Sequence, residues 1–144
     1  MNDADSGTDN ESQTSVPAAR PFRILVVDDD KDVATSIVRA LEVLGHSAVT
    51  CGHAQEAFEV MGRQSFDLLL VDYRMPEMTG LDLVTLLREE GNKIPAIMMT
   101  GHFATEDRVR VEQLRISSIL RKPITLPMLA RALEEQHLTT HEAA

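Results

Sequence analysis

A doubly wound α/β fold, with five parallel strands flanked by five helices, is what this 144-residue sequence predicts. Three observations carry that expectation. Short apolar runs alternate with amphipathic stretches of helical period, the pattern of a parallel sheet covered on both faces. Four of those runs end in a polar or charged residue, at Asp28, Asp72, Thr100 and Lys122. In such sheets crossovers are right-handed and ligands gather at the carboxyl ends of the strands. The four residues therefore converge on one edge.

The elements run in order along the chain. "FRILVV" is apolar and β-branched, hence a buried strand. "DVATSIVRALEVLG" spaces Val33, Ile37, Leu41 and Leu44 as a helix and stops at Gly45, a natural C-cap. "HSAVTC" is a weaker strand, and "AQEAFEVMGR" gathers Ala54, Ala57, Phe58 and Met61 on one helical face. "DLLLVD" is a strongly apolar strand, "RMPEMTG" a loop, and "LDLVTLLREEG" a helix closed by Gly91. "PAIMMTG" reads as a buried strand, "ATEDRVRVEQL" as a helix and "SSILRK" as a short strand. "LPMLARALEEQ" is the last helix, with Pro127 in its first turn. Residues 1–20, acidic and almost without apolar side chains, are expected to be disordered. The folded domain is expected over 21–137, with a short tail at 138–144.

Composition removes several function classes. The net charge is −9, which gives no nucleic-acid or anionic-membrane footprint, since those need clustered Lys and Arg. The single cysteine, Cys51, cannot form an internal disulfide and reads as a small structural hydrophobe. The N-terminus has no signal-peptide pattern, and no apolar run approaches a membrane span. A cytoplasmic protein is the expectation. The histidines show no metal-ligand spacing, and the seven Met residues read as core or loop filler.

The stretch "ILVVDDDKD" runs an apolar strand into three consecutive carboxylates, which repel one another and are costly to bury. A plain capping role is open to Asp30, with Asp32 favourable at a helix N-terminus. A calcium loop of EF-hand type is excluded, because Val33 stands where the turn requires Gly. A magnesium site is the other reading, and the rest of the edge favours it. Asp72 closes a deeply apolar strand, and a hard dication among Asp28, Asp29 and Asp72 would remove their repulsion. Lys122 and Thr100 are each unremarkable alone; their joint placement at strand ends is specific.

From Phe22 to about Gln136 the chain resembles the receiver domain of two-component response regulators, of the stand-alone single-domain type. The matching residues are Asp28–Asp29 in "VVDDD", Asp72 in "LLLVDYRMPEMTG", Thr100 in "MMTG" and Lys122–Pro123 in "RKP". The resemblance implies a flavodoxin-like receiver fold with strand order 2-1-3-4-5. It implies that Asp72 accepts a phosphoryl group from a sensor histidine kinase or a histidine phosphotransfer protein. Mg²⁺, or Mn²⁺ in its place, would be held by Asp29, Asp72 and the Arg74 backbone carbonyl, with Asp28 acting mainly through water. Lys122 would pair with a phosphoryl oxygen, Thr100 and the Gly101 amide would donate to it, and the Lys122–Pro123 peptide would be cis. Signalling would pass to a downstream protein, by a monomer or a phosphorylation-dependent dimer, without turnover chemistry, nucleic-acid contact, membrane insertion or an output domain in the chain.

Two functions compete with this one. A haloacid-dehalogenase-type phosphohydrolase also uses an Asp nucleophile, but its Asp-x-Asp-x-Thr/Val pattern is absent at Asp28–Asp32 and the chain leaves no room for a cap domain. A receiver-like interaction module independent of phosphorylation is the other. Two departures from the family pattern stand out. Ile119 occupies the place of the usual Tyr or Phe, and Arg115–Ile116 replaces a short Gly-Ala segment. Arg108, Arg110, Arg115, Arg121 and Arg131, with Val109, Val111 and Ile119 among them, form a candidate partner face. Arg74 and His102, two residues after Asp72 and Thr100, stand where receivers tune dephosphorylation. If the bulk of Arg74 obstructs the attacking water, Arg74→Ala shortens the acyl-phosphate half-life; an unchanged half-life, tracked by intact mass over time, counts against that role.

Overall fold

The computed structural model describes residues 20–102 and 107–143, with side chains placed through Thr139. The segment expected to be disordered thus falls, except for Arg20, outside the described residues, as does the stretch 104–106 expected to start a helix. The elements run β1 (Arg23–Val27), α1 (Lys31–Val43), β2 (Ser47–Cys51), α2 (Ala54–Met61), β3 (Leu68–Asp72), α3 (Gly80–Glu89), β4 (Ala96–Thr100), α4 (Arg108–Gln113), β5 (Ser118–Arg121) and α5 (Leu126–Ala143). The five strands form one parallel sheet in the order β2-β1-β3-β4-β5.

Alternation along the strands sorts the core into two layers. Leu25, Val27, Leu69, Val71, Ala96 and Met98 face α2 and α3, against Ala57, Leu81, Val84 and Leu87. Ile24, Val26, Leu68, Leu70, Ile97 and Met99 face α1 and α5, against Ile37, Leu41, Leu129 and Leu133. Every residue of β3 and β4 is buried, whereas edge strand β2 is mostly exposed, which explains its weaker sequence signal. Register aligns the strand ends. Val27 lies beside both Cys51 and Val71, Asp72 beside Met99, and Thr100 beside Arg121. The carboxyl ends of all five strands are therefore level.

Local chemistry sets the helix ends. Asp30 caps α1, accepting from the amides of Asp32 and Val33 at 3.0 and 3.2 Å. Thr79 and Asp82 form a reciprocal capping box at the start of α3. Gly45 and Gly91 close α1 and α3 with φ of +93° and +82°, which other residues rarely adopt. α5 continues past Gln136 through the segment expected to be a tail. Residues 137–143 contain neither Gly nor Pro to stop a helix, and Leu138 projects 62% exposed. Among the described residues, no helix is long and apolar enough to cross a membrane.

At the opposite end of the strands, Phe22 stacks on His137 with ring centroids 4.0 Å apart and on His46 at 5.4 Å. His46 Nδ1 accepts from the Phe22 amide at 2.8 Å. His137 Nε2 is buried with no hydrogen-bond partner among the described residues. Burial lowers the pKa of both imidazoles; His137 further lowers that of His46, and Arg20 that of His137. The unfolded chain, with histidines near their ordinary 6.5, binds more protons than the folded one just below that pH. The stabilisation is therefore present above pH 6.5 and lost as pH falls through the lower folded-state values. His137→Phe, which keeps the stack, is expected to flatten the drop in Tm between about pH 7.5 and about pH 5.5; an unchanged slope would rule the pair out as its source.

Candidate functional site

The three acids of "DDD" divide into two tasks. Asp30 turns to its own helix as the cap, while Asp28 and Asp29 face Asp72 across the end of β1 and β3. Oxygen atoms of Asp28, Asp29 and Asp72 lie within 4.8 Å of one another. Asp28 and Asp72 are buried at 2% and 6% exposure, and Asp29 is exposed. Lys122 joins them from the end of β5. Its Nζ donates to Asp28 Oδ2 at 3.0 Å and lies 3.1 Å from Asp72 Oδ1. Asp28 Oδ1 accepts from the Asp30 amide at 2.9 Å.

Crowding sets the electrostatics. Burial and then the Asp28 carboxylate raise the pKa of Asp72, against the opposing pull of Lys122. Burial alone would lower the pKa of Lys122, but its bonds to Asp28 and Asp72 outweigh that and hold it raised. An uncompensated buried charge of this kind costs about 3–5 kcal/mol, so the lysine is a condition of having two carboxylates here. One ammonium against three carboxylates still leaves negative charge in excess, in a set of hard oxygens open to solvent at Asp29. That donor set fits a small divalent cation.

The backbone behind Asp72 is fixed with little freedom. The Tyr73 amide donates to Met99 O at 2.8 Å, and the Gly80 amide returns to Tyr73 O at 3.0 Å. A Cβ at Gly80 would stand 2.5 Å from Asp72 O and 3.2 Å from Val71 Cγ2. Between them, Met78 N donates to Pro76 O at 2.7 Å around Glu77, whose φ is +71°, a tight γ-turn. The Lys122–Pro123 peptide is cis.

Thr100 reaches the same edge but is engaged locally. Its hydroxyl donates to His102 O at 2.8 Å and accepts from the His102 amide at 3.0 Å. The candidate partner face also differs from the expectation. Val111 and Ile119 are half-buried against the core, leaving Val109, 62% exposed, as the projecting aliphatic. Arg110 is not a free cation: it bonds Asp82 Oδ1 and Thr85 Oγ1, each at 3.0 Å. Cys51 is buried, with its thiol pushed up to about 11 by burial and Glu56.

Sequence reasoning missed two residues beside the site. The hydroxyl of Tyr73, next to the central Asp72, donates to Asp107 at the start of α4. They are separated by 34 positions, and no local pattern joins them. The only available signal was that Tyr73 is the sole Tyr of the chain, placed directly after the acid.

A parallel sheet in this order, with paired acids, a central acid, a hydroxyl and a lysine at consecutive strand ends, defines a receiver-type signalling domain. The chain belongs to the response regulator receiver domain family, which matches over residues 24–134, and is thus a receiver domain of two-component signalling. It is 31% identical over 116 residues to the transcriptional regulatory protein GlrR of Escherichia coli K12, covering 81% of this chain and 26% of that protein. It is 34% identical over 111 residues to the response regulator MprA of Mycobacterium leprae, covering 76% and 49%. The chain therefore spans a quarter to a half of these curated relatives. Among solved structures, the CheY-like receiver domain protein of Methanospirillum hungatei superimposes with a TM-score of 0.80 at 25% identity, over 87% of this chain and all of that one. A receiver protein from Pseudomonas putida gives 0.75 at 30% identity, over 83% and 99%.

Gly80→Ala is expected to destabilise the fold by about 1–3 kcal/mol, the usual cost of overpacking, by driving its methyl into the backbone of Asp72. Urea unfolding measures this, and an unchanged midpoint would show that the loop relaxes freely.

Proposed function

We propose that Asp72 is the phosphoacceptor of this receiver. The observation that carries the reading is a carboxylate buried at a strand end, within reach of one lysine and of two further acids that could share a divalent cation. An Asp72 oxygen attacks the phosphorus of a phosphohistidine on a kinase or phosphotransfer partner. The P–N bond breaks, its electron pair leaves with the imidazole, and an acyl phosphate forms on Asp72. Positioning and charge neutralisation dominate such a transfer.

Asp29, Asp72 and the Arg74 carbonyl would hold Mg²⁺ or Mn²⁺, with Asp28 contributing through water. When bound, the cation offsets the repulsion between the carboxylate and the incoming phosphoryl oxygens. Lys122, now shared between Asp28 and Asp72, is placed to track the charge onto a phosphoryl oxygen. Thr100 would have to release His102 before its hydroxyl could be donated elsewhere. The protein would act in the cytoplasm as a switch rather than a turnover enzyme, and the exposed arginines around α4, β5 and α5 suit a protein partner. A single addition of about 80 Da, the mass of one phosphoryl group, is expected after incubation with acetyl phosphate and Mg²⁺. It should be absent without Mg²⁺ and in Asp72→Ala. If wild type gains no mass at any time point, the chain is a receiver that works by binding alone.

A further inference from the structure

The geometry points to Tyr73 as a positioning residue that ties α4 to the Asp72 loop through Asp107. Only the response of α4 to phosphorylation rests on the reading of Asp72 as phosphoacceptor; the tie itself is a property of the resting fold.

α4 needs such a tie. It has six residues and none of them is fully buried; Val111 alone among them packs half-buried against the core, so its length and its core face hold it weakly. Polar contacts add to that hold, and among the described residues three reach it from α3 and from the end of β3. Arg88 Nε donates to Leu114 O at 2.9 Å, beyond its last turn. Arg110 grips Asp82 and Thr85 on α3. The third is the Tyr73 hydroxyl on Asp107.

Asp107 occupies the N-cap position of α4, yet its side chain makes no capping bond. A carboxylate there ordinarily accepts from the first-turn amides; this one accepts from Tyr73 instead. Tyr73 is in turn locked by its main chain to the end of β4 and the start of α3. A shift of Asp72 therefore reaches Asp107 through one residue. Ile119 in β5 is aliphatic and has no side-chain polar atom to hand on.

Amide hydrogen exchange of α4 tests this, read on the intact chain with and without acetyl phosphate and Mg²⁺. Without phosphate donor, Tyr73→Phe is expected to speed exchange across 109–114 by about three- to tenfold, the loss of one ordinary hydrogen bond. Asp107→Ala should match it, Asp107→Asn, which still offers an oxygen, should not, and the double variant should be no faster than either single one. With the donor, Tyr73→Phe should gain the same mass as wild type but lose the change in α4 exchange that wild type shows. Unchanged exchange in Tyr73→Phe without donor, or additive single variants, overturns the tie. An identical donor-induced change in both proteins overturns the coupling. If wild type takes no phosphate, the coupling falls with the phosphoacceptor reading, while the donor-free arm still decides the tie.

Discussion

Two buried carboxylates sharing one ammonium are the constraint around which this structure is arranged. Asp28 and Asp72 sit at the ends of adjacent central strands, where the surrounding side chains are apolar and solvation is poor. The Asp28 carboxylate adds to the cost of ionising Asp72. Lys122 comes from the far edge of the sheet, 94 positions away from Asp28, so the charge balance exists only when β1, β3 and β5 are in register. Folding and site assembly are one event here. The excess negative charge that remains is what makes the site receptive to a cation.

That constraint explains the economy of the loop after β3. Asp72 must be presented at the rim while its strand stays buried, and the chain must then turn into α3 without a gap. Gly80 permits the closest approach by lacking a Cβ, the γ-turn at Pro76–Met78 consumes its own amide, and Tyr73 satisfies its backbone on both sides. Rigidity behind the acid contrasts with the adaptable groups in front of it. Asp29 is exposed, and among the described residues the Thr100 hydroxyl is held by the turn after it. The acid, by contrast, is held by its backbone on both sides.

Much of this was legible in the sequence because it is periodic or local. The core strands announced themselves as continuous apolar runs, and Ile37, Leu41, Ala54 and Ala57 fell at helical spacing. Asp30 as a cap, Gly45 and Gly91 as stops, and the convergence of Asp28, Asp72, Thr100 and Lys122 all come from strand ends and turn chemistry. What could not be read depends on tertiary pairing. Arg110 with Asp82, Tyr73 with Asp107, and the cluster of Phe22 with two histidines join residues 24 to 115 positions apart by numbering alone, and no pattern marks them. The run of arginines looked like a free basic face for the same reason, since burial of Val111 and pairing of Arg110 are invisible in one dimension. The overlong α5 had a negative signal, the absence of any stop after Gln136, outweighed by the end of its apolar spacing.

The distribution of stabilising contacts also separates parts that must stay from parts that can move. α1, α3 and α5 each press buried apolar side chains into the sheet, and displacing any of them would expose that surface at roughly 25 cal/mol per Å². α4 has far less such surface at stake, with Val111 only half-buried against the core. The hydrogen bonds that add to its hold each contribute about 1 kcal/mol, a scale that a phosphoryl charge on Asp72, as proposed, would exceed. The element least bound to the core is therefore the one whose contacts begin beside the acid.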